Sequence, residues 1–159
     1  MKTATVHELK KALSLASRDE ILNYCLQLSK FKKENKELLT YILFESSDET
    51  SYVDKVSESI SFMFSEMNTD SFFYMKKTIR KILRMVKKQI RYSKKKTTEV
   101  ELLLKFCSEM KTLRPSIHQN SVLDNMYARE LNSIQKKVAL LHEDLQYEYQ
   151  LEIEALQKL

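Results

Sequence analysis

The chain contains no glycine and no tryptophan, one proline and two cysteines among 159 residues. The missing glycine excludes most. Tight hairpin turns need residues at positive φ, which glycine supplies without steric cost. A chain without it, rich in Leu, Lys, Glu, Ser and Met, points to helices joined by polar loops. The same absence removes every G-x-G-x-x-G and G-x-x-x-x-G-K-[ST] motif, and with them the usual dinucleotide and P-loop nucleotide sites. Pro115, the only proline, leaves long stretches without a strong helix breaker. Cys25 and Cys107 each sit in an apolar helical stretch, "NYCLQL" and "LKFCSEM", and read as core thiols. No run approaches the roughly 18 apolar residues of a membrane span, and "MKTATVHELKKAL" has no uninterrupted apolar signal segment. The expectation is a cytoplasmic protein with no membrane span.

At this length, 1–159 reads as one domain able to bury its own core. Capping boxes mark helix starts at Thr5 with Glu8, Ser17 with Glu20, and Thr98 with Glu101. Apolar steps of three and four supply the rest. Leu38 to Leu43 mark a third helix and Val53 to Met67 a fourth. Met75 to Ile90 mark a fifth, after a break at "NTDS" with Asp70 as cap. Leu102 to Met110 mark a sixth, ended by "LRPS". From Leu123 to Leu156 the apolar steps never lapse, which predicts one helix of about 55 Å at 1.5 Å per residue, bent near "HEDLQ" or projecting toward a partner. The predicted fold is all-α. Six or seven helices pack as antiparallel pairs, in a helical bundle or a short HEAT-like stack, and end in a long C-terminal helix.

What the sequence does have is positive charge in one place. Residues 71–98 hold eleven basic side chains and no acid, whereas the whole chain carries +5. Lys77, Arg80, Lys81, Arg84, Lys88 and Arg91 recur at helical spacing beside the apolar stripe, and Lys94, Lys95 and Lys96 continue the run. Successive cations of this kind neutralise phosphates and release counterions, and arginine offers a planar fork for phosphate oxygens. Tyr92 and "FFY" at 72–74 are candidates for base stacking. The competing reading is a solvated, partly paired face. Residues 45–70 hold seven acids and one lysine, and folding back about residue 71 brings Glu58 level with Arg84 and Asp54 level with Lys88.

No sequence motif carries chemistry. His7, His118 and His142 are far apart, and "HEDLQ" places Gln146 where H-E-x-x-H needs its second ligand. Glu148 and Glu152 share a helix face, but no E-x-x-H accompanies them. We therefore expect no enzyme activity, catalytic residue, metal or cofactor. The primary reading is a non-enzymatic protein that contacts nucleic acid or another polyanion through the helix over 76–96; an acidic protein is a second class of partner. The alternative is a scaffold that forms a homo-oligomer or docks another protein through its C-terminal helix.

The stretches "LSKFKKENKELLTYILFE", "RKILRMVKKQIRYSKKKTTEVELLLKFC" and "LHEDLQYEY" resemble a family of uncharacterised all-helical bacterial proteins. The resemblance spans most of the chain. It implies a compact bacterial domain and assigns no residue a role.

Overall fold

The computed structural model describes residues 2–158, which form eight α-helices and no strand. They gather into two compact units, one up to Phe44 and one from Glu45 onward. The first contains α1 (Val6–Leu15), α2 (Arg18–Phe31) and α3 (Lys33–Thr40), followed by a π-helical turn over Tyr41–Glu45. Both predicted capping boxes form here. Thr5 and Ser17 each accept from the third residue of their helix, and Glu8 and Glu20 each accept from the cap backbone at 2.7 Å. These bonds hold both carboxyls below the usual carboxylate range. α2 and α3 pack together, and the Asn35 side chain donates to the Leu28 carbonyl at 2.8 Å.

The second unit contains α4 (Glu49–Ser65), α5 (Phe72–Ser93), α6 (Lys96–Thr112), α7 (Ser121–Val138) and α8 (Glu143–Gln157), with a 3-10 turn over Ile117–Gln119. α6 is its axis. Leu102, Leu103 and Leu104 are consecutive and all buried, as are Val100, Phe106, Cys107 and Met110. A helix apolar on nearly every side belongs inside, and α6 touches α4, α5, α7 and α8. The expected capping box at Thr98 does not form. α6 starts earlier, at Lys96, so Thr98 lies inside the first turn and donates to Glu49 at 2.6 Å.

α4 and α5 form the expected antiparallel hairpin. The Tyr52 hydroxyl donates to Gln89 Oε1 at 2.8 Å, which is the predicted register. Asp48 caps α4, while α5 is capped by Ser71 rather than Asp70.

The long C-terminal helix is not formed, and with it the count of six or seven gives way to eight. α7 stops at Val138, and tightened bonds from Leu140 to Lys137 and from Leu141 to Val138 turn the chain. Gln146 fastens the corner by donating to the Leu141 carbonyl at 2.7 Å, and the His142 ring caps α8. α8 then returns along α7, where Tyr127 donates to the Leu156 carbonyl at 2.8 Å. Apolar spacing persists through the corner because both helices face the same core; no glycine or proline signals the turn.

α5 ends at Lys94 with φ 60°, in the left-handed region. A side chain there costs about 1–2 kcal/mol, and glycine is the usual occupant. Lys94→Gly is expected to stabilise the protein by ~1 kcal/mol, a rise in Tm of about 2–4 °C. Thermal denaturation followed by circular dichroism measures it.

Candidate anion-binding groove

The apolar side of α5 (Met75, Ile79, Ile82, Leu83, Val86, Ile90) is buried. At about 100° per residue this fixes the other side chains. Arg80, Arg84, Lys87 and Arg91 fall on one flank, and Lys77 and Lys81 point further outward; all six are exposed. Arg84 lies about 140° around the helix from Gln89, which faces α4. The expected pairing of Glu58 with Arg84 does not form, and among the described residues Arg84 has no carboxylate partner. The acidic helix therefore does not cover this flank.

The flank faces α7 instead. Two adjoining grooves run between α5 and α7, enclosing about 530 and 670 Å³. Arg84 and Lys87 line both. Arg80 and Arg129 complete the cations of the first, and Lys88, Arg91 and Lys137 those of the second. Glu99 and Leu103 of α6 also line the second. Beneath them Glu130, 2% exposed, accepts from Lys87 at 3.1 Å and from Arg129 Nε at 3.3 Å. Lys137 pairs with Glu99 at 3.3 Å. Lys87 and Arg129 thus share one carboxylate and Lys137 takes another. Among the described residues no carboxylate pairs with Arg80, Arg84 or Arg91.

The predicted site residues divide accordingly. Arg80, Arg84, Lys88 and Arg91 come together in the grooves. Lys77 and Lys81 are exposed but line neither. Lys94, Lys95 and Lys96 occupy the corner between α5 and α6, where Lys95 is tied to Glu49 at 3.1 Å. Glu49 also accepts from Ser93 and Thr98, so this carboxylate joins α4 to the corner. Sequence reasoning missed Lys87, which shares the flank of Arg80, Arg84 and Arg91, and Arg129 and Lys137, which only folding brings to the groove. Tyr92 is buried and offers no stacking face. Phe73 is 67% exposed and meets Tyr74 edge-on at 5.5 Å.

Burial, then the charge of Glu130, pushes the Cys107 thiol up to about 12, so it stays protonated at neutral pH and is a poor nucleophile. Asp124 holds His118 Nδ1 at 2.7 Å, and the imidazole ring meets Tyr127 edge-on. No Ser or Cys is hydrogen-bonded to that imidazole's other nitrogen among the described residues. Burial raises Glu152, with Glu101 and Glu148 adding to it. Among the described residues no group of three or more His, Cys, Asp or Glu is placed to hold a metal ion, and no helix is long and apolar enough to cross a membrane.

No protein-family model, no curated protein and no solved structure matches this chain.

Removing Lys87 leaves the buried Glu130 carboxylate with Arg129 alone. Lys87→Ala is expected to cost about 1–3 kcal/mol, read from the urea midpoint. Glu152 binds its proton more tightly folded than unfolded, so its contribution to stability falls as pH rises from the ordinary carboxylate range through its raised value. Glu152→Gln should raise Tm by ~1–2 °C at pH 7 and by less at pH 4. An equal gain at both would contradict the assigned cause.

Proposed function

We propose that this protein binds nucleic acid, or a polyanion of similar charge density, along the groove between α5 and α7, and that it does so without catalysing a reaction. The observation that carries this reading is three arginines, Arg80, Arg84 and Arg91, on the groove flank of one helix without carboxylate partners. From Arg80 to Arg91 the helix rises about 16 Å, so the three can meet separate phosphates of one backbone. Guanidinium groups favour this contact because they present paired donors and shed water more readily than ammonium. Lys87 and Arg129 add field while Glu130 holds them in position. Lys77 and Lys81 extend the positive face outward. Contacts to phosphates fix position without reading base identity, which suits affinity indifferent to sequence. A cytoplasmic location is part of the same proposal.

An acidic protein is the other class of partner this charge would suit. The alternative, a scaffold that self-associates or docks a partner through the C-terminal segment, would use the outward faces of α7 and α8 in place of one projecting helix.

Fluorescence anisotropy with a labelled single-stranded oligonucleotide at 50 and 200 mM salt tests the reading. Three engaged phosphates correspond to a log–log salt slope of about −2. Arg80→Glu, Arg84→Glu and Arg91→Glu together should abolish binding, while Lys77→Glu with Lys81→Glu weakens it less. Absence of binding at 50 mM salt, or affinity unchanged in the triple variant, overturns the proposal.

A further inference from the structure

The positive flank of α5 begins with an aromatic ring. At about 100° per residue, Phe73 falls within roughly 40° of Arg80, Arg84, Lys87 and Arg91, so it heads the same row. It is 67% exposed, and Tyr74 meets it edge-on, so a face of the ring stays open to solvent. A lone exposed phenylalanine is ordinary. One in line with a row of cations has the arrangement of a stacking platform beside a phosphate track. From Ser71 to Thr98 the chain carries no acid that would repel a phosphate backbone.

The ring also stands at an open end of the groove. Arg80 lines the first groove with Val122 and Asn125, and Arg91 lines the second with Ser133 and Lys137, so α5 and α7 run side by side in the same direction. Val122 is the second residue of α7 and is 40% exposed. Phe73 precedes Arg80 by about 10 Å along the helix, so α5 extends past the start of α7 and carries the ring to the groove's mouth. A row of cations alone would serve a duplex, a single strand or inorganic polyphosphate alike. The ring discriminates among them. Unpaired bases offer their faces for stacking, whereas in a duplex the bases stack on one another and show only their edges. We infer that the groove's ligand is a single-stranded nucleic acid, with one unpaired base stacked on Phe73 and the phosphates that follow lying on Arg80, Arg84 and Arg91. This rests on the groove reading and narrows it to one class of polyanion.

Anisotropy titrations of the full chain at 50 mM salt compare labelled single strands of one mixed sequence, DNA and RNA in separate arms, with the corresponding DNA duplex. A single strand is expected to bind about tenfold more tightly than the duplex. Phe73→Ala should lower single-strand affinity about tenfold, the weight of one stacked base. Its duplex affinity and its salt slope should stay unchanged, since stacking releases no counterion. Phe73 is exposed, so helical content by circular dichroism should not change. The chain has no tryptophan, so Phe73→Trp introduces a single indole at the mouth. Its emission should be quenched by the single strand and not by inorganic polyphosphate. Equal affinity for single strand and duplex, an equal loss of both in Phe73→Ala, or no loss at all overturns the assignment of the ligand and leaves the groove reading standing. Absence of binding to any of these nucleic acids overturns both.

Discussion

The polar side chains of one buried helix hold the second unit together. α6 buries apolar residues around most of its circumference, and five of its polar side chains reach a surrounding helix. Thr98 donates to Glu49 at the start of α4, and Glu109 accepts from Ser61 of the same helix at 2.7 Å. Glu99 takes Lys137 of α7, and Glu101 accepts from Tyr149 of α8 at 2.7 Å. Lys111 donates to the Ala155 carbonyl at 2.7 Å and to the carbonyls of Leu156 and Lys158, closing the C-terminal end of α8. Burial supplies the driving force, and these bonds fix which neighbour sits against which side.

The groove is a product of that arrangement. α5 and α7 both rest on α6, leaving a channel between them whose floor includes Leu103 and Glu99. Among the described residues Glu130 is the one carboxylate buried beneath the cations. It binds Lys87 and Arg129 from opposite walls, so the walls are cross-linked by a charge that also restrains the groups lining them. A buried carboxylate is tolerable there because two cations solvate it.

Much of this was legible in the residues. Glycine's absence announced the helices, the capping boxes at Thr5 and Ser17 located two starts, and the acidic and basic segments paired in the predicted register. The failures have physical causes. Thr98 and Glu101 carried a cap signature, but tertiary partners, Glu49 and Tyr149, claimed both side chains. The corner after Val138 is made by ordinary residues and a glutamine side chain, so it left no mark on the apolar rhythm. The central place of α6 shows in three successive leucines rather than in periodicity, which a helix buried on all sides lacks. Arg80, Arg84, Lys88 and Arg91 were legible because one continuous run contains them. Arg129 and Lys137 join them only through folding, from a segment where acids and bases alternate.

The order of helices around α6 separates charge as well as building a core. α4 and α8 belong to segments where acids outnumber bases: residues 45–70 hold seven acids and one lysine, and residues 143–154 five acids and no base. α5 and α7 carry the cations of the channel between them. Positive charge is thus gathered along the channel, while the acid-rich helices α4 and α8 do not line it. In the field of any negatively charged body the unit experiences a torque that turns the channel inward. Orientation is therefore favoured before contact, over distances of about a Debye length, near 8 Å at physiological ionic strength.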